Sequence, residues 1–344
     1  MNVMIATPIE PELVERIRRV GLGYEVLWEP DLLPEPRYPS DHAGRPLALD
    51  GAQQARWDAL LAEADVMFGI PGDSPAQLAV TVGKAPRLRW IQCTAAGAGG
   101  QVRAANLSPA DLKRIVFTTS AGVHGTTLAE FFFMGLLVLR KDLRRLERVR
   151  AQRSWEHWAM GELKGSTLAI VGMGAIGLAI ARIARAFGMR VLGVTRDGRA
   201  FKEIDVVAYP TSRLVEVVAQ SDAVVMTLPG TPLTEKLFGR TAIGAMKRDA
   251  VFGSVGRGTV VDQDALVEAL RSGAIAGAVL DVFTPEPLPP DNPLWTMENV
   301  VFSPHTAALS VHENARIVDL FCDNLERFAG GRPLRNVVST TEFY

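Results

Sequence analysis

Only two cysteines occur in 344 residues, Cys93 and Cys322. They lack CxxC spacing, so the chain builds neither a zinc ribbon nor a disulfide scaffold, and a reducing cytoplasm suits it. Excess charge is missing too. Lys and Arg total 37 against 38 Asp and Glu, a formal charge of −1, which withholds the broad positive field that nucleic acid or an anionic membrane surface calls for. Neither is an expected partner. The most apolar stretch, "LAEFFFMGLLVL" (Leu128–Leu139), is interrupted by Glu130 and stops at Arg140-Lys141. It falls well short of the roughly 20 apolar residues that span a bilayer, and reads as a buried helix. The opening "MNVMIATPIEPEL" has no basic n-region and no apolar h-region before a cleavage site, so it reads as a strand entering a helix, without an export signal. Internal repeats and low-complexity tracts are missing as well. No His/Asp/Glu cluster has metal spacing, and no metal is expected.

What is present alternates. A chain of this length exceeds the usual single core, so two domains are expected. Up to about residue 122, short apolar runs ("VMIAT", "YEVLW", "ADVMFGI", "LRWIQCT", "IVFTT") are separated by helical patterns such as "PELVERIRRVG". That is the signature of βα units and a parallel sheet. Between Glu29 and Asp50 lies a Pro- and Gly-rich stretch too long for a tight connection, expected to be a surface excursion or partner contact. From Leu163 the alternation restarts with "LAIVG", "RVLGVT", "AVVMTL", "AVFGSV", "GAVLDV" and "VVFSP", the six runs of a complete Rossmann sheet. The last segment has apolar residues at helical spacing (Ile317, Leu320, Phe321, Leu325, Phe328) and can pack back on the first domain. The expected architecture is α/β: a Rossmann dinucleotide-binding domain at 123–309, and a smaller α/β domain assembled from 1–122 and 310–344.

Gly172-x-Gly174-x-x-Gly177 follows the apolar run Leu168–Val171 and opens an Ala-rich helix. In that context the first glycine allows a tight turn, the second a close approach of backbone to pyrophosphate, and the third close helix–strand packing. Gly172, Gly174, Ala175, Ile176 and Gly177 are therefore the expected phosphate site, at a helix N-terminus. The alternative is a close-packed turn with no ligand. About 20 residues past the first glycine an NAD enzyme offers Asp or Glu to the ribose, and this chain has Thr195 and Arg196, with Arg199 nearby. A hydroxyl and guanidinium groups favour a 2′-phosphate, so NADP is expected over NAD, with NAD use left open. The competing reading is an Arg on an exposed loop, paired with Asp197.

Ligands of open α/β sheets sit beyond the carboxyl ends of the strands. Three chemically complementary residues fall there: Arg257 after "AVFGSV", Glu286 after "GAVLDV" and His305 after "VVFSP". Reducing a 2-keto acid needs a cation for its carboxylate and carbonyl, which suits Arg257. It also needs a proton donor for the developing alkoxide, which suits His305. Glu286 on the far ring nitrogen would orient the imidazole.

"VGMGAIG", "SVGRGTVVD", "GAVLDVFTPEPLP" and "SPHTA", in this order, resemble the D-isomer-specific 2-hydroxyacid dehydrogenases, the family of glyoxylate/hydroxypyruvate reductases and phosphoglycerate dehydrogenases. The resemblance implies a flavodoxin-like substrate domain beside the Rossmann domain, and a hydride exchanged between NADP(H) and a small 2-keto or D-2-hydroxy acid. It assigns catalysis to Arg257, Glu286 and His305, with Arg257 and His305 also contacting substrate. It places Asp281 on the nicotinamide carboxamide, Leu228, Pro229 and Thr234 along the cofactor, and the backbone N–H groups of Ala96 and Gly97 on the substrate carboxylate. It also implies a homodimer, in which Trp155 is a candidate to reach a neighbouring subunit's site. A dinucleotide-sensing corepressor on the same fold is the alternative in another functional class. Elsewhere, His124 is expected to serve a hinge or the core, His157 to accompany Trp155 and Trp158 in covering a core or dimer arm, His42 and His312 to lie at the surface, and Cys93 to be buried.

Overall fold

The computed structural model describes residues 1–344 apart from Leu22, Ala200, Lys202, Glu203, Asp205 and Tyr344. The five apolar runs of the N-terminal part are all strands: β1 (Asn2–Ile5), β2 (Glu25–Leu27), β3 (Val66–Phe68), β4 (Trp90–Gln92) and β5 (Val116–Thr118). They pair in parallel in the order β2-β1-β3-β4-β5, the flavodoxin-like arrangement. β3 and β4 are buried along their whole length, which is why they read as unbroken apolar runs rather than as alternating ones.

This first unit comprises Met1–His124 and Leu309–Tyr344, and a second comprises Gly125–Ala308. The expectation drawn from the alternation of apolar runs and helical patterns set the breaks at 122/123 and 309/310. The late segment enters the first unit as a helix, Glu313–Ala329, which buries Ile317, Val318, Phe321 and Leu325. Phe321 stacks on Trp90 and meets the Phe68 ring edge-on, both at 5.1 Å between centroids, so the helix closes the core over β1, β3 and β4.

The Glu29–Asp50 excursion has one short 3-10 turn, Pro30–Leu32, and is otherwise irregular. It is nevertheless fastened. Asp41 receives Arg37 through both Nε (2.6 Å) and Nη2 (2.9 Å) and also the Gly44 N–H at 3.1 Å. The guanidinium holds the Asp41 carboxyl well below the usual carboxylate range. The Thr7 hydroxyl donates to the His42 carbonyl at 2.8 Å, and His42 Nε2 lies 2.8 Å from Asn314 Oδ1. His42 is therefore buried, against the expectation of a surface residue, because its ring ties the excursion to the C-terminal helix. His312 is exposed.

The second unit is a seven-stranded parallel sheet. Its strands are β6 (Thr167–Val171), β7 (Arg190–Thr195), β8 (Val207–Pro210), β9 (Ala223–Met226), β10 (Val251–Ser254), β11 (Gly277–Leu280) and β12 (Val300–Phe302), ordered β12-β11-β10-β9-β6-β7-β8. Read outward from β6, this is the Rossmann order with one additional strand. Six strands are the six expected runs. β8 escaped the pattern because it is a half-exposed edge strand ending in Pro210, where neither continuous apolarity nor full pairing is required.

"LAEFFFMGLLVL" forms most of the helix Gly125–Arg140, whose buried face includes Leu128, Phe132, Phe133 and Leu136. Among the described residues no helix is long and apolar enough to cross a membrane. The helix seats small against large: a Cβ on Gly135 would lie 2.5 Å from a methyl of Val279, and a Cβ on Gly253 would lie 2.5 Å from the Phe132 ring. Val279 sits inside the sheet and has no free rotamer to yield. Gly135→Ala is therefore expected to lower stability by about 1–2 kcal/mol despite the better helix propensity of alanine, checked as a lower thermal or urea midpoint.

Candidate active site

The carboxyl ends of β6, β9, β10, β11 and β12 lie in a row, since these strands are parallel neighbours. At a strand spacing of about 4.8 Å the five ends cover roughly 20 Å. Each end releases one loop, and glycines let the loops touch.

Gly172 leaves β6 at φ +104°, in the left-handed half of conformational space that favours glycine. A Cβ there would meet Thr227 Oγ1 at 2.8 Å, and the Thr227 hydroxyl donates to the Gly172 carbonyl at 2.5 Å. Gly177, in the first turn of the helix Ala175–Ala186, packs so tightly that its Cβ would lie 2.1 Å from the Gly172 carbonyl oxygen. Gly174 is the opposite case: a Cβ would meet nothing within 4 Å. No side chain caps the helix at Gly174, so the N–H groups of its first turn, at Ala175, Ile176 and Gly177, suit an anion. A pyrophosphate fits this turn by both tests, open space and unclaimed donors.

β7 ends at Thr195. Its hydroxyl accepts the Gly198 N–H at 3.0 Å and donates to Asp197 Oδ1 at 3.4 Å, and the same oxygen accepts the Arg199 N–H at 3.2 Å. That backbone donor, above all, holds the Asp197 carboxyl below its ordinary range. The carboxylate is thus engaged within its own turn, while Arg196 and Arg199 are exposed.

The loop after β9 is tied by Thr234, whose hydroxyl accepts the Thr231 N–H at 2.9 Å and donates to the Pro229 carbonyl at 2.7 Å. It packs on the loop after β10. A Cβ on Gly230 would lie 3.3 Å from Arg257 Cβ, and one on Gly256 would lie 2.4 Å from the Leu228 carbonyl oxygen. A Cβ on Gly258 would lie 1.9 Å from the Phe283 carbonyl oxygen, so the loop after β11 closes on the other flank of Arg257. The half-buried Arg257 donates from Nη1 to the Gly256 carbonyl at 2.8 Å.

Glu286 folds back on its own loop. Its Oε1 accepts the Phe283 N–H at 2.8 Å, and its Oε2 lies 2.7 Å from His305 Nδ1. The bonds preceding Pro285 and Pro287 are both cis. His305 has φ +52°, a conformation that costs a residue with a Cβ on the order of 1–2 kcal/mol. Asp281 is buried, and its Oδ1 accepts the Ser303 hydroxyl and the Ala307 N–H (3.0 Å). Gln263, the first residue of the helix Gln263–Ser272, pairs its amide with the Thr284 backbone: Nε2 donates to the carbonyl at 2.8 Å and Oε1 accepts the N–H at 2.9 Å.

The structure thus brings Glu286 and His305 into direct contact and sets Arg257 between the loops after β9 and β11. Ala96 and Gly97 are exposed in the first unit, in the turn after β4. Trp155 is 89% exposed and lies 6.5 Å from the His157 ring. His124 is buried, with Nε2 3.0 Å from the Glu313 carboxylate. Cys93 is buried, and burial pushes its thiol far above the usual range, which removes it as a nucleophile. Among the described residues no group of His, Cys, Asp and Glu is arranged to hold a metal ion. Sequence reasoning missed Gln263 and Ser303: Gln263 looks like an ordinary first-turn helical residue, and Ser303 was only the residue before Pro-His.

Residues 133–307 match the family model described as D-isomer specific 2-hydroxyacid dehydrogenase, NAD binding domain. A glyoxylate reductase of Korarchaeum cryptofilum is 37% identical over 264 residues, covering 74% of this chain and 77% of that protein. A D-isomer specific 2-hydroxyacid dehydrogenase family protein from Aeromonas salmonicida superposes with a TM-score of 0.78 at 29% identity, over 98% of both chains. An NADPH-dependent glyoxylate/hydroxypyruvate reductase from Sinorhizobium meliloti, solved in complex with NADP and sulfate, has a TM-score of 0.75 at 25% identity, over 100% of this chain and 99% of that one.

The contrast between two glycines of the turn is testable. Gly174 has φ −78° and open space around it, so Gly174→Val should fold normally while weakening dinucleotide binding by about tenfold or more. Gly177→Val should lose the fold of the second unit itself. Thermal melting and cofactor titration by fluorescence separate the two outcomes.

Proposed function

The chain belongs to the D-isomer specific 2-hydroxyacid dehydrogenase family, and on that footing we propose that it reduces glyoxylate- and hydroxypyruvate-like 2-keto acids, preferring NADPH. It is an oxidoreductase that passes a hydride between a nicotinamide dinucleotide and a small 2-keto or D-2-hydroxy acid. The observation that carries the assignment of roles is the 2.7 Å contact of His305 Nδ1 with Glu286.

When bound, the nicotinamide supplies the hydride in one direction and accepts it in the other. Gly172, Gly174, Ala175, Ile176 and Gly177 would hold the pyrophosphate, with Leu228, Pro229, Thr234 and Asp281 along the rest of the cofactor. Arg257 binds the substrate carboxylate and polarises the carbonyl through its fork of donors. His305 Nδ1 is taken by Glu286, which leaves Nε2 to give a proton to the forming alkoxide, or to take one from the hydroxy acid in reverse. Glu286 orients the ring. Ala96 and Gly97, in the first unit, would offer their backbone N–H groups to the substrate carboxylate.

Four features support the finer points. Thr195, Arg196 and Arg199 stand where a ribose-binding carboxylate would repel a 2′-phosphate, and the adjoining carboxylate, Asp197, is engaged by Thr195 and the Arg199 N–H. The Sinorhizobium reductase carries NADP. A homodimer is supported by the helix Leu143–Gln152, which buries none of its residues, and by the exposed Trp155 that follows it. Both cysteines are free, in keeping with a reducing compartment.

Purified protein mixed with NADPH or NADH and glyoxylate, hydroxypyruvate or pyruvate should consume NADPH faster, read as loss of nicotinamide absorbance. Binding without turnover on any of them would overturn the enzymatic roles and favour a regulator. His305→Asn should lower kcat by about 10²–10⁴-fold with cofactor affinity retained. Arg196→Ala combined with Arg199→Ala should cut kcat/KM for NADPH by about tenfold or more while leaving NADH little changed.

A further inference from the structure

Two polar side chains that lie outside the proposed proton-transfer pair hold each of its members in place. We propose that Gln263 and Ser303 are positioning residues that set the contact between Glu286 and His305. The inference rests on the roles given to that pair above.

Glu286 is carried by residues 283–287, a loop that leaves β11 and has no regular structure to stiffen it. Gln263 grips this loop from outside. Its side-chain amide pairs with both the N–H and the carbonyl of Thr284 (2.9 and 2.8 Å), as a neighbouring strand would, and so fixes the peptide next to Phe283. The Phe283 N–H in turn fixes Glu286 Oε1 at 2.8 Å. Gln263 is itself held at the start of a helix whose N-cap, Asp262, accepts the Ala265 N–H.

His305 is held from the other side. Ser303 donates to Asp281 Oδ1, which also takes the Ala307 N–H, while the Asp281 carbonyl accepts the His305 N–H at 3.0 Å. One buried residue thus clamps the segment before, at and after His305. The left-handed φ of His305 persists only if its surroundings over-determine it, and this clamp does so. Releasing either clamp changes the angle and distance at which the ring meets Glu286, and misplacement of reacting groups by about 1 Å costs rate on the order of 10²-fold.

The reading against this is purely structural: two satisfied hydrogen bonds that add stability and nothing else. The two accounts differ in kinetics. With wild-type protein, NADPH and glyoxylate, Gln263→Ala and Ser303→Ala are each expected to lower kcat about tenfold, with KM for both substrates changed less than about twofold. Ser303→Thr, which keeps the hydroxyl, should restore most of the loss. In a Glu286→Gln background, Gln263→Ala should have little further effect on kcat, because the contact it serves is already broken. Gln263 is only half-buried and bonds to backbone alone, so its variant is expected to fold even if Ser303→Ala does not, and melting curves check both. An unchanged kcat in Gln263→Ala, or the same fractional loss in the Glu286→Gln background, overturns the proposal. Inactive wild type would instead count against the proposed function.

Discussion

At the carboxyl edge of the larger sheet, backbone lies against backbone with no room for a single added carbon. The hypothetical Cβ atoms of Gly177, Gly256 and Gly258 fall 2.1, 2.4 and 1.9 Å from carbonyl oxygens, distances no side chain survives. This constraint does more than any individual hydrogen bond. It stacks the loops after β6, β9, β10 and β11 into one continuous ridge, so a guanidinium, a carboxylate and an imidazole from separated stretches of sequence share a rim. Each loop rests on the next, and the functional groups inherit the rigidity of the peptide planes beneath them.

The ridge explains how much could be read without coordinates. Parallel sheets covered on both faces demand apolar runs, so eleven of the twelve strands among the described residues announced themselves in sequence; β8, at an edge, did not. Gly172, Gly174 and Gly177 were legible because their spacing is set by one turn. Gly256 and Gly258 sat inside a motif that pointed to Arg257, yet the reason for them lies across space, in Leu228 and Phe283. Gln263 and Ser303 were invisible for the same cause: a glutamine at a helix start and a serine before Pro-His have many uses, and only the fold shows which backbone each one grips. His42 failed differently. Its Pro- and Gly-rich surroundings suggested solvent, whereas its ring meets Asn314, 272 residues away.

Opposite logic governs the two kinds of polar group in the molecule. At the rim, polar atoms are left reachable: the His305 and Glu286 side chains are 41% and 35% exposed. Behind the rim, polar atoms are spent on one another, as at Asp281 and Ser303. The exposed layer is free to meet ligands while hydrogen-bonded groups behind it, Asp281 and Ser303 among them, hold it still.

The helix Glu313–Ala329 has a further consequence, for the order of events at the ribosome. The first unit's strands are translated early, but Phe68 and Trp90 receive Phe321 only after the whole second unit has been made. At synthesis rates of about 5–20 residues per second, that gap lasts on the order of ten to forty seconds. During it the nascent N-terminal sheet carries an uncovered aromatic face, while the Rossmann unit, contiguous in sequence, has everything it needs to fold first. The core of the first unit is therefore complete only once the last helix has been made.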